Sequence, residues 1–150
     1  MATALMAFLH HLFAFAVTAC LVYEFIAFRK GMTIEEARTI QRADFVYGIS
    51  AGLLLVVGLL RVFFYEKGIS FYMQSPFFWV KMGTFLLVGL LSIGPTIRFV
   101  RWNQVLKENQ LPVTSEADFG RTRRILWLEL GGIVIILLSA AFMARGIGFN

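Results

Sequence analysis

The chain has 150 residues, of which 59% are hydrophobic and 15% charged, and its mean hydropathy is +0.75. Soluble domains average about 45–50% apolar and about 25% charged residues, so this composition excludes a globule surrounded by water and fits one membrane domain over residues 1–150. The net charge of +5 does not point to nucleic acid, because the basic residues sit in short segments between apolar runs, where the positive-inside rule places them.

Four apolar runs are long enough to cross a hydrocarbon core, which takes about 20 residues of helix: 3–28, 45–65, 76–100 and 125–144. The first lacks a basic leader and a small-residue cleavage site, so it reads as a retained helix rather than a signal peptide. Its single cysteine, Cys20, rules out an intrachain disulfide and a Cys-x-x-Cys pair and reads as a small apolar filler. After Arg29-Lys30-Gly31, Thr33 followed by Glu35 and Glu36 carries the signature of a helix N-terminus. It predicts a short interfacial helix over 34–43 in the first loop, running into the second span. The second connection, with Glu66-Lys67-Gly68 and the aromatics Phe71 and Tyr72, suits a headgroup boundary. Ser75-Pro76 opens the third span, where the missing proline N–H costs little. In the third connection, Thr114-Ser115-Glu116 offers a further helix start. The fold class expected is therefore all-α, an integral membrane four-helix bundle.

Basic residues give the bundle a direction. The first and third loops share one face and carry ten: Arg29, Lys30, Arg38, Arg42, Arg98, Arg101, Lys107, Arg121, Arg123 and Arg124. The other face has Lys67 and Arg145 only. The expectation is an N-out/C-out, multi-pass protein of a bacterial inner (plasma) membrane, with both basic loops cytoplasmic and both termini periplasmic.

Ionisable residues inside the spans each need a partner or a purpose, because charge in hydrocarbon is costly. At about 1.5 Å per residue, His10 and His11 lie roughly 10–14 Å from the outer end of the first helix. Adjacent positions on a helix diverge, so one of the two faces the bundle. Arg61 falls in the last outer turn of the second span, and Lys81 just over one turn into the third. Arg61 and Lys81 read either as snorkelling cations or as binding groups. The inner half holds Glu24, Asp44 and Glu129, with Ser92, Pro95, Thr96 and Arg98 on the third helix. Asp44 reads as the N-cap of the second span, Glu24 as the partner of a loop arginine, and Glu129 as neutralised by Arg98 or Arg124. Ser92 and Thr96 read as hydroxyls bonding back to their own helix near a proline. Glycines along helices two to four permit close approach or leave room for a flat cofactor.

Phe8-Leu9-His10-His11, then Asp44 with Tyr47-Gly48 and Gly58-Leu59-Leu60-Arg61-Val62-Phe63, then Phe77-Phe78-Trp79-Val80-Lys81 followed by Leu91-Ser92 and Pro95-Thr96, together resemble a family of predicted bacterial inner-membrane proteins without an assigned activity. That family is distantly similar to HemJ-type protoporphyrinogen oxidases and to CopD-type copper-resistance membrane domains. The HemJ group uses a first-helix histidine and a later lysine and is associated with b-type haem. By position the resemblance implies that His10 and Lys81 are catalytic, and that His10, Arg61 and Lys81 bind haem b or a porphyrin. The histidine segment that follows the lysine helix in that group is absent, and no histidine follows His11. Three functions result: a haem- or porphyrin-linked redox protein; a non-catalytic scaffold or small subunit, as a homo-oligomer or with a membrane-complex partner; and copper handling, with His10 as metal ligand beside Met6 and His11. No P-loop, nucleophile elbow or dinucleotide fingerprint occurs. The lipid bilayer is the one partner that composition itself requires.

Overall fold

The structure is a computed structural model and describes residues 1–148. Four long helices are long and apolar enough to span a membrane. They are α1 (Ala2–Ala27), α2 (Ile34–Leu60), α4 (Pro76–Arg101) and α6 (Glu116–Ala144). Two single-turn helices, α3 (Ile69–Met73) and α5 (Asn103–Lys107), lie in the connections. The long helices alternate in direction. α1 packs most extensively on α2 and α4 on α6, and α1–α6 and α2–α4 contacts close the bundle. Both basic loops therefore meet at one end, called here the basic face.

α2 is longer than its apolar run because its start is well capped. Thr33 Oγ1 accepts from Glu36 N at 3.2 Å while Thr33 N donates to the Glu36 carboxylate at 2.7 Å, a reciprocal capping box. Nothing between 34 and 60 breaks the helix, so the interfacial segment expected over 34–43 continues into the span without interruption. Asp44 consequently does not cap anything. It sits ten residues inside α2, buried, and accepts from Thr96 Oγ1 of α4 at 2.7 Å. The last span also starts early: Ser115 caps α6 by accepting from Asp118 N at 3.1 Å. At the other end of α2, Arg61–Tyr65 widens into a π-helical turn.

An aromatic plug closes the basic face. Phe28 is fully buried and stacks on Trp102 and Phe119, with ring centroids 6.1 and 5.0 Å away and planes within 21°. The carbonyls that end α1 need donors, since helix ends leave them unpaired. Arg123 of α6 donates to Phe25 O at 2.7 Å and to Phe28 O at 2.8 Å. Gln41 of α2 donates to Phe99 O of α4. Outside this core the helices turn apolar side chains outward. No more than 22% of any span's apolar window is buried, which leaves lipid as the medium that covers Phe15, Phe45, Leu86, Trp127 and Val134.

Without a hydrophobic drive between helices in lipid, close approach at small residues supplies much of the packing. The most closely packed of the glycines is Gly132 of α6, where an added Cβ would collide with Val88 Cγ2 and come within 3.5 Å of Thr84 Cγ2. Val88 is β-branched and cannot rotate away freely. Gly132→Ala is therefore expected to lower stability by about 1–3 kcal/mol through overpacking. Gly131→Ala, whose Cβ meets nothing within 4 Å, should leave it unchanged. Thermal unfolding of both variants in one detergent checks this; equal losses would contradict the packing.

Candidate functional site

The ionisable residues of the spans form two groups at different depths. In the half away from the basic face, His10, Arg61 and Lys81 converge from α1, the end of α2, and α4. His10 turns inward, and an added Cβ at Gly58 would stand 3.2 Å from its Cε1. The glycine thus makes room for the imidazole against α2. Lys81 and Arg61 are close enough to act electrostatically on this ring. Its Nδ1 is buried and has no hydrogen-bond partner. His11 points elsewhere: it is exposed, its Nδ1 lies 2.7 Å from Ala7 O, and the two ring planes are 83° apart. The adjacent pair therefore offers one imidazole to the interior.

Arg61 does not simply snorkel. Its Nη2 pairs with Glu66 at 2.6 Å, with both side chains largely shielded. The π-helical turn that begins at Arg61 brings residues five apart into register, a backbone irregularity frequent at functional sites. Tyr72 of α3 stands beside this pair. Burial pushes its phenol above the ordinary tyrosine range, Glu66 adds to that, and Arg61 opposes it. Lys81 is only partly exposed and makes no ion pair or hydrogen bond among the described residues. Two cations and one carboxylate leave this group with surplus positive charge.

The second group lies toward the basic face and is acidic. Glu24, Asp44 and Glu129 come from α1, α2 and α6 and are 2%, 6% and 1% exposed. None of the expected arginine partners reaches these carboxyls, and Arg124, the second candidate for Glu129, is exposed. Arg98 pairs with Asp118 at 2.8 Å, and Arg123 holds the α1 carbonyls. Tyr47, also buried, lies within electrostatic reach of Glu129, Glu24 and Ser92. Ser92 Oγ passes its own hydrogen to Gly89 O at 2.8 Å, the back-bonding expected beside Pro95. Thr96 instead reaches across to Asp44. The sequence alone assigns Glu24, Asp44, Glu129, Ser92 and Thr96 to separate local roles. Tyr47 was passed over, since a tyrosine in an apolar run carries no signal that its hydroxyl faces inward.

Between the two groups lies a cavity of about 320 Å³. Its lining is mostly apolar, with Thr18, Tyr47, Ser92 and Thr96 as the polar exceptions, and it reaches Ala14, one turn of α1 from His10. Among the described residues no three His, Cys, Asp or Glu side chains gather closely enough to hold a metal ion. A copper site built from Met6, His10 and His11 gains nothing from this geometry, because His11 points away.

A membrane domain spanning almost all of the chain is also what comparison returns. No curated protein and no solved structure matches the sequence. The family model for predicted membrane proteins designated DUF2214 matches residues 2–148. Four apolar helices and a match of that extent place the chain in the DUF2214 family of membrane proteins.

Proposed function

We propose that this protein binds an acidic, membrane-soluble ligand at His10, Arg61 and Lys81 and acts in redox chemistry on it, with a b-type haem or a porphyrin as the ligand class these residues suit best. The observation that carries the reading is the surplus charge of the group: Lys81 has no acid, and His10 Nδ1 has no partner, at a depth where both are costly. A carboxylate-bearing ligand answers both. Lys81 is the first group to receive a carboxylate, since Arg61 already serves Glu66 and would share its remaining donors. The positional likeness of His10 and Lys81 to the histidine and lysine of HemJ-type oxidases supports the same choice.

The residues fit one side of a haem: His10 is the single imidazole presented inward, and Gly58 keeps the backbone clear of it. Bound there, a haem would supply electron transfer; the chain's own part is to hold it and to neutralise its carboxylates. A CopD-like copper function finds no comparable support, and a purely structural role leaves the unpaired Lys81 without a reason.

Purified protein supplied with haem is expected to show a reduced-minus-oxidised absorption difference. That difference should be lost in His10→Ala and retained in His11→Ala. A colourless protein that takes up no haem would overturn the reading. Lys81→Ala removes one charge-assisted hydrogen bond, worth about 1.5–3 kcal/mol, so ligand affinity should fall roughly 10- to 100-fold. The fall is read by titrating ligand into both proteins.

The reading also takes the basic face as cytoplasmic, in the inner membrane of a bacterium, which puts His10 and Lys81 in the outer half. Single cysteines placed in residues 108–115 should be protected from an impermeant maleimide in intact cells, and cysteines near Lys67 should be labelled. The reverse pattern would invert the orientation.

A further inference from the structure

The second, acidic group is not used by that reading, and it poses its own electrostatic problem. Three carboxyls from three helices sit within the spans, each at least nine-tenths buried. One oxygen of Glu24 and one of Glu129 are sealed from solvent and have no hydrogen-bond partner. Removing one charge of an ion pair from a protein interior is already severe, because it leaves the other uncompensated; here three acidic groups share one region. The charged neighbours of Glu24 are Asp44 and Glu129, and that of Glu129 is Asp44. Cys20 of α1 lies near Glu24, and Tyr47 of α2 near both glutamates. From α4 the groups that reach in are the neutral hydroxyls of Ser92 and Thr96. Among the described residues no lysine or arginine forms an ion pair with Glu24 or Glu129.

Positive charge must therefore come from outside the chain, and the geometry narrows its source. A chelated metal ion would need three ligands drawn together, and among the described residues no such group exists. We infer that Glu24, Asp44 and Glu129 form a membrane-buried proton-binding site, distinct from the His10–Lys81 group. Each proton adds to a carboxylate oxygen and converts an unpartnered acceptor into an O–H donor. That removes the repulsion that carboxylates in one region of low dielectric exert on one another. Tyr47 and Thr96 connect the site to the central cavity, since each lines the cavity and also faces the carboxyls. The cavity's four polar side chains suit it to ordered water. Glu24 lies three residues from the end of α1, about 4.5 Å along its axis, so the basic face is the nearer source of protons.

The test is carbodiimide labelling of the full chain in lipid vesicles. Dicyclohexylcarbodiimide enters the bilayer and reacts with protonated carboxyls. At neutral pH, peptide mass spectrometry should find the adduct on Glu24 or Glu129 in several-fold excess over the exposed Glu35 and Glu108. The yield should fall as pH rises. Glu24→Gln and Glu129→Gln keep the side-chain shape and should each remove label from their own position. Two outcomes would overturn the inference: no label on either glutamate in the folded protein, or labelling that sodium suppresses at constant pH, which would assign a metal cation instead. Should a Gln variant fail to fold, infrared spectra of the unaltered protein in H₂O and D₂O serve in its place. A deuterium-sensitive carboxylic acid band is expected, and its absence would count as refutation.

Discussion

Hydrocarbon offers no water to a polar group, so each charge and each freed backbone atom in these four helices must be answered from within the bundle or by something bound to it. Much of the molecule can be read as those answers. Arg123 covers the carbonyls at the end of α1, and Gln41 covers Phe99 O. Thr96 serves Asp44, and Ser92 gives its hydroxyl hydrogen to Gly89 O. Arg61 takes Glu66 across a widened turn. These contacts also tie α1 to α6 and α2 to α4. The interactions that neutralise the interior thus align the two closely packed helix pairs with one another.

Among the described residues, the buried ionisable side chains of the spans left without an opposite charge fall in two places. His10 and Lys81 lack partners in one half, and Glu24 and Glu129 lack them in the other. The two groups have opposite character, and a mostly apolar cavity separates them. A bundle that only needed to fold would do better with leucine at such positions, since an apolar residue of similar volume is often neutral or stabilising in place of a buried charge. The cationic group calls for an acid and the acidic group for positive charge. Both proposals, the acidic ligand and the bound protons, rest on these two groups.

The sequence made the architecture legible because its signals are local and strong. Run length defines a span, and the Thr33 and Ser115 caps mark where α2 and α6 begin. It also placed His10, Arg61 and Lys81 together, since depth follows from counting residues along antiparallel helices. Pairings across helices were not legible. Asp44 looked like a cap because acids favour helix starts, yet the stronger capping box lies eleven residues earlier, and Asp44 became a bridge to Thr96. Glu24 and Glu129 seemed to have arginines available, because a sequence does not say that Arg98 is taken by Asp118. The π-helical turn at Arg61, which brings Glu66 into reach, has no local sequence signature. Which of two adjacent histidines faces inward depends on the azimuth of α1, and only packing against Gly58 fixes that.

The central claim is that the charge left over at His10 and Lys81 is matched by a bound acidic ligand. An experimental density map of the protein purified in native lipid tests it most directly. The account predicts non-protein density in contact with both the His10 imidazole and the Lys81 amine, larger than a water or a single acyl chain. A map in which Lys81 reaches lipid headgroups or an acidic side chain, with His10 packed only against neighbouring helices, would contradict it.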